Sequence, residues 1–271
     1  MTVMHGRARR ALWLAAALSA PLLAGACTSD KDTYVERPPE ELYNTALDDL
    51  HAGKSVEAAK TFDEVERQHP YSSLATQSEL MAAYSYYRDN KYDDAINSLD
   101  RFIQLHPGNP NAVYAYYLKG LCYYEQIVDV GRDQGNTQAA LDSLNEVVTR
   151  FPNTPYARDA RLKVDLARDH LAGKEMAIGR YYLQRQQYLP AINRFRRVIE
   201  QYQTTTHVPE ALERLTECYL ALGVNDEAQA AAAVLGYNFP GSDWYEDSYA
   251  LLQAKNLEPQ SKADSWLNSV F

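Results

Sequence analysis

An all-α solenoid of helical hairpins is the fold class that this 271-residue chain predicts, and three observations carry it. The first is a small residue followed twelve positions later by a proline: Ala58 and Pro70, Ala95 and Pro107, Ala140 and Pro152, Ala228 and Pro240. A fifth copy has Ala191, with Gln203 where the proline would be. The second is the residue four places after each alanine, which is Phe62, Leu99, Leu144, Phe195 and, in the last copy, Ala232. A small side chain lets two helices approach, the residue one turn on shares its face, and proline cannot continue a helix. The third is composition: 46% hydrophobic and 23% charged residues, with 12 Gly and 12 Pro, exclude collagen-like and wholly disordered chains.

Taken in order, the chain opens on an address. Basic Met1–Arg10 precedes an apolar run, Ala11–Leu23, too short to span a bilayer and of the length of a signal-peptide core. Residues 1–26 are therefore read as a lipoprotein signal peptide. Leu23-Ala24-Gly25-Ala26-Cys27 resembles the bacterial lipobox, which implies that Cys27 is lipidated and becomes the first mature residue. The other reading of the same site is plain cleavage after Ala26. Several acyl chains on one cysteine anchor stably where a single chain is marginal. Thr28 in place of an aspartate favours the outer membrane. Residues 27–39, polar and closing on Pro38-Pro39, form the lipidated cysteine and a flexible tether with a reach of about 40 Å.

The repeats follow. Their second helices resemble the second helix of the tetratricopeptide repeat, which has the same alanine, large apolar residue and terminal proline. The matching first helices carry a small residue twelve places before the alanine, at Ala46, Ala83, Gly179 and Thr216. Copy three fits on Gly120 only if eight residues are inserted, because Pro70 to Pro107 is 37 residues and Pro107 to Pro152 is 45. The insertion is placed at Val130–Thr137. The excess before repeat four is assigned to a long helix near Pro155–Ala172, capped by Thr154, started by Pro155 and ended by Gly173. Five repeats thus cover Pro39–Pro240. A helix over Trp244–Lys255 is expected to cap the open apolar face, as terminal repeats require. The resulting division is an N-terminal half at 40–152, a C-terminal half at 153–256 and a loose tail at 257–271.

Enzyme chemistry has no foothold in the pattern. None of the six histidines stands in a metal-binding spacing, and no phosphate-binding loop, dinucleotide glycine set or nucleophile elbow is present. No metal and no cofactor is expected. His69 and His106 occupy equivalent places before a proline, where a helix C-terminus suits histidine. Cys122 and Cys218 stand two repeats apart, too far for a disulfide, and are expected as buried thiols. A formal net charge of −9 excludes a bulk nucleic-acid binder.

Two surfaces remain. Tyrosine is over-used, 21 against 6 Phe. In the tetratricopeptide register the concave positions of repeats one to three include Tyr43, Tyr84, Tyr87, Tyr114, Tyr117 and Tyr124, a candidate client-peptide groove. Packing of several of them into the core between first helices is the competing reading. Lys174–Arg197 is a basic island on an acidic protein, with six cations against Glu175 alone. It reads either as a dock for an acidic partner patch or as a solvated face paired with local acids.

Asp100-Arg101-Phe102-Ile103-Gln104-Leu105-His106-Pro107-Gly108-Asn109-Pro110-Asn111, Tyr114 through Leu121, Arg150 through Tyr156, and Asn193-Arg194-Phe195 are similar to the corresponding stretches of the BamD family. These are the tetratricopeptide lipoproteins of the outer-membrane β-barrel assembly machine. The resemblance covers essentially the whole mature chain. It implies a non-enzymatic, lipid-anchored adaptor on the periplasmic face of the outer membrane. Its partners would be the POTRA domains of BamA, other Bam lipoproteins and unfolded outer-membrane clients. It also places the BamA contact at Arg194 with Asn193; Arg197, one turn on, joins them as a carboxylate-gripping neighbour. Gln203 and the extra Arg196-Arg197 depart from the family pattern. A generic envelope scaffold, recruiting a peptidase or a cell-division factor, is the alternative.

Overall fold

The computed structural model describes residues 36–271. The expected signal peptide, Cys27 and nearly all of the tether lie outside the described residues. The body formed by Pro38–Phe271 is built from eleven α-helices and a 3-10 turn, with no strand among the described residues. Five hairpins follow one another: Pro39–His51 (α1) with Ser55–Gln68 (α2), Ser73–Arg88 (α3) with Tyr92–Leu105 (α4), Ala112–Tyr124 (α5) with Gly135–Arg150 (α6), Pro155–Gln184 (α7) with Tyr188–Gln201 (α8), and Val208–Ala221 (α9) with Asn225–Asn238 (α10). Asp243–Gln253 (α11) closes the stack. Every helix packs on its successor, and the first helices of neighbouring repeats also meet, α1 with α3, α3 with α5 and α9 with α11. This is an all-α tetratricopeptide-repeat solenoid with an extra length of helix and a capping helix.

The repeat residues do what their sizes require. Ala58, Ala95, Ala140, Ala191 and Ala228 are wholly buried, and so are Phe62, Leu99, Leu144 and Phe195 one turn on. At Gly120 a Cβ would come within 2.6 Å of Leu144 Cδ2, and at Gly179 it would collide with the Phe195 ring. These two positions hold glycine because the two helices of the hairpin touch there. The tight turn between helices reuses one left-handed residue, at Gly53 (φ 78°), Asn90 (φ 59°), Gln186 (φ 58°) and Gly223 (φ 74°). Glycine adopts that conformation without cost, and asparagine more readily than most residues.

Three expectations are corrected. The long helix does not stop at Gly173: α7 runs 30 residues, about 45 Å, and merges the extra helix with the first helix of repeat four. Thr154 does cap its start, accepting from the Ala157 amide at 3.2 Å, with Pro155 in the first turn. Gly173 serves packing instead, since a Cβ there would stand 3.2 Å from His207 Nε2 and 3.5 Å from Val130 Cγ1. The insertion also sits earlier than placed, between Tyr124 and Gly135, so Gly135–Thr137 already belong to α6. It is pinned to α7, where His170 Nε2 donates to the Val128 carbonyl (2.6 Å) and Lys174 Nζ to those of Gly131 and Arg132 (3.2 Å each).

The third correction concerns the tail at 257–271, expected to be loose. Gln260 donates its amide to the Gln229 carbonyl, Lys262 Nζ meets Glu227 Oε1 at 2.7 Å, and the turn Trp266–Ser269 buries Leu267 completely. Trp266 lies under the Arg196 guanidinium, 4.3 Å from its ring centre. Polar composition hid one apolar anchor, Leu267, and two acceptors on α10. The thiols stand as expected: Cys122 and Cys218 are free and buried, and burial pushes both up to about 12.

Candidate functional site

The first helices of repeats two and three bring four of the six groove tyrosines together. Tyr84 and Tyr87 come from α3, Tyr114 and Tyr117 from α5, and all four are half-buried. Tyr156, in the first turn of α7, completes the group, with ring centres 5.6 Å from Tyr114 and 5.2 Å from Tyr117. Tyr156 lies in the segment between repeats three and four, outside the repeat register, so the concave-position rule does not reach it. A tyrosine beside a helix-starting proline carries no signal of its own.

The hydroxyls of the cluster are held by charges. Tyr117 donates to Asp159 Oδ2 at 2.5 Å, and Lys163 Nζ steadies the same oxygen at 2.7 Å. Those two bonds hold the Asp159 carboxyl below the ordinary carboxylate range. Tyr87 donates to Glu125 Oε1 at 3.5 Å, and burial with that neighbour pushes its phenol up to about 12. Tyr84 accepts from Arg88 Nη1 at 3.2 Å. Burial raises Tyr114 and Tyr117 as well, so these two phenols and that of Tyr87 stay neutral at any physiological pH. It offers ring faces and edges from side chains already locked in place, which lowers the entropic cost of binding an extended segment.

Tyr43 and Tyr124 border this group: Tyr43 shares a core cluster with Tyr84, and Tyr124 shares one with Tyr117 and Tyr156. Tyr43 packs edge-on against Phe62 at 5.4 Å, within the core of repeat one. Tyr124 faces a cleft of about 590 Å³ beside the pinned insertion, lined also by Ile127, Leu166, Asp169 and His170, and Lys163 Nζ lies 5.6 Å from its ring centre.

The basic island is largely compensated within the chain. Arg180 Nη1 donates to both oxygens of Glu210 (2.8 and 2.7 Å). Arg196 pairs with Glu200 and covers Trp266. Arg185 lies over the Tyr181 ring at 4.5 Å. Arg194 and Arg197, one turn apart on α8, divide a single carboxylate: Arg194 Nη1 meets Glu175 Oε2 and Arg197 Nη1 meets Glu175 Oε1, each at 3.0 Å. Glu175 is nearly buried, whereas the two guanidiniums are about a third and a half exposed. One acid thus orients two cations, leaves a net positive charge and fixes both donor forks at the surface. Asn193 is exposed beside them. Glu175 was legible only as the lone acid of the island, not as its organiser.

Comparison with known proteins gives a consistent picture. Residues 35–235 match the YfiO family model, described as an outer membrane lipoprotein. The outer membrane protein assembly factor BamD of Caulobacter vibrioides is 56% identical over 254 residues, covering 93% of this chain and 83% of that protein. BamD of Rickettsia prowazekii is 48% identical over 241 residues, covering 89% and 96%. BamD of Neisseria meningitidis serogroup A is 37% identical over 241 residues, covering 84% and 90%.

Proposed function

The chain belongs to the BamD family of outer membrane protein assembly factors, and from that premise we propose that it works as a lipid-anchored adaptor on the periplasmic face of the outer membrane. Cys27 carries the lipid in this reading. No helix among the described residues is long and apolar enough to cross a membrane, so the anchor assigned to Cys27 would supply the attachment. The adaptor performs no bond chemistry of its own.

Its two tasks divide along the solenoid. The Tyr84–Tyr87–Tyr114–Tyr117 cluster receives an extended segment of an unfolded client by ring contacts that tolerate many sequences. Asn193, Arg194 and Arg197 dock the POTRA region of BamA. The pairing of Arg194 and Arg197 on Glu175 is the observation that carries the docking assignment: their donor forks are fixed in advance, so an incoming carboxylate meets charge already oriented. Client capture would then occur within one solenoid of the barrel-forming subunit.

The test is co-purification from native membranes with a carboxy-terminal tag, wild type beside Arg194→Glu and Arg194→Gln. Wild type should bring down a large POTRA-containing barrel protein, and both variants should lose most of it while retaining their helical circular dichroism. Equal recovery by all three reduces Arg194 to a surface charge. Recovery of an unrelated envelope protein by the wild type instead would transfer the chain's role to a generic scaffold.

A further inference from the structure

The register that puts Tyr114, Tyr117 and Leu121 on the concave side of repeat three puts Glu210, Glu213 and Glu217 there in repeat five. Three acids at three successive groove positions of α9 replace an aromatic and apolar set. One cation serves them all. Arg214 Nη1 bonds Glu217 Oε2 at 3.0 Å, while its Nε lies 3.2 Å from Glu213 Oε2 and 3.8 Å from Glu210 Oε1. Glu210 has a second cation in Arg180, from α7. Asp247 on α11, the helix packed against α9, adds a further negative charge felt at Glu213.

The centre of this strip is poorly paired: an acceptor and a donor face each other across an ion pair without a hydrogen bond. Glu213 is only 3% exposed, yet its Oε2 accepts no hydrogen bond. Arg214 Nε, facing it, donates none, and Ser248 Oγ, wholly buried on α11, is likewise without a partner. Buried polar atoms held in poor hydrogen-bond geometry are costly, and a partner that draws Arg214 and Glu213 into better geometry recovers that cost on binding. Burial first and then Glu217, Asp247 and Glu210 push the Glu213 carboxyl up to about 7, against the pull of Arg214. Trp244 lies beside the strip, 5.5 Å from the Arg214 guanidinium carbon to its ring centre, and offers an aromatic wall to a cation.

We propose that the concave face of repeat five, Glu210, Glu213, Glu217 and Asp247 beside Trp244, is a docking site for a lysine or arginine presented by a segment of a partner protein. Charge complementarity selects the occupant: the carboxylates of Glu210, Glu217 and Asp247, with the half-ionised Glu213, face two cations, so an added base moves the set towards balance whereas an acid is repelled. The site has the opposite sign to the Arg194–Arg197 surface and stands whether or not that surface meets BamA. Two docks of opposite charge on one half of the solenoid would fix the orientation of a partner as well as its identity.

The test uses the mature protein with Trp266→Phe, leaving Trp244 as its emitter. The probes are the blocked peptide Ala-Leu-Arg-Leu-Ala and its counterpart with glutamine in place of arginine, titrated at low salt. The arginine peptide should bind at least about tenfold tighter than the glutamine peptide, the loss expected when a charge-assisted bond is removed. Glu213→Gln with Glu217→Gln should abolish that ratio without lowering the thermal midpoint, and the exposed Asp247→Asn should reduce it. Equal binding of the two peptides, no saturable change in Trp244 emission into the millimolar range, or a ratio that survives the double variant would each overturn the proposal.

Discussion

Glu213 and Glu175 are both buried glutamates facing arginine, and they are paired differently. Glu175 has two guanidiniums, one on each oxygen, whereas Glu213 shares one guanidinium with Glu210 and Glu217. The difference predicts a pH effect. The Glu213 carboxyl titrates near 4.5 when unfolded and at about 7 in the fold, raised by burial and by Glu210 and Glu217 on α9 and Asp247 on α11, and lowered by Arg214. Below pH 4.5 both states hold the proton and there is no penalty. Between 4.5 and 7 the folded chain keeps a proton that the unfolded chain has released, so stability falls as pH rises. Above 7 the loss is complete. Glu213→Gln should therefore gain roughly 1–3 kcal/mol over wild type at pH 8 and nothing at pH 4, read from urea unfolding at the two pH values. A gain of equal size at both would assign the effect to packing rather than ionisation.

At the scale of elements, the tail is the piece that sequence periodicity misjudged. Helices announce themselves by period and caps, and here Ala-x11-Pro located four of the second helices and Thr154 with Pro155 marked the start of α7. A strap has no period, and its one cap, Ser265 on the Leu267 amide, starts only a four-residue turn. Its order comes from contacts distant in sequence: Lys262 and Ser265 on Glu227, Trp266 against Arg196, and Leu267 in the core of repeats four and five. The same reasoning explains why Tyr84, Tyr87, Tyr114 and Tyr117 were legible as a group and Tyr156 was not. The first four follow from the repeat register; the fifth follows from where α7 lands. Gly173 shows the converse hazard, since a glycine that permits close approach to His207 reads in sequence like a helix end. Deleting residues 258–271 should uncover the Leu267 site and remove the Trp266 stacking, costing about 2–4 kcal/mol. That corresponds to a fall of roughly 5–10 °C in the thermal midpoint. Hydrogen exchange should quicken in α8 and α10 and stay unchanged in α1 to α4.

For the molecule as a whole, stability in a solenoid is a sum of nearest-neighbour contacts, so cooperativity depends on what joins one repeat to the next. Here that junction is α7. Its first half supplies Ala160, Val164, Ala167 and Leu171 to the core shared with repeat three, and its second half supplies Ala172 and Met176 to the core of repeats four and five. A single unbroken helix through both cores links them by continuous backbone hydrogen bonding. The tyrosine cluster and the Arg194–Arg197 pair are therefore joined through backbone hydrogen bonds of α7 as well as side-chain packing. Gly173→Pro tests the coupling at its centre. Proline there removes one helical hydrogen bond, clashes with the turn before it and costs about 3 kcal/mol or more. Wild type should unfold in urea as one transition seen alike by tryptophan emission and far-ultraviolet circular dichroism, because both described tryptophans, Trp244 and Trp266, report the C-terminal repeats while dichroism reports every helix. The proline variant should unfold in two, with the tryptophan signal following only one of the two dichroism steps. A single shifted transition in the variant would mean that side-chain packing across the α7 junction suffices to couple the halves, and that helix continuity is incidental to it.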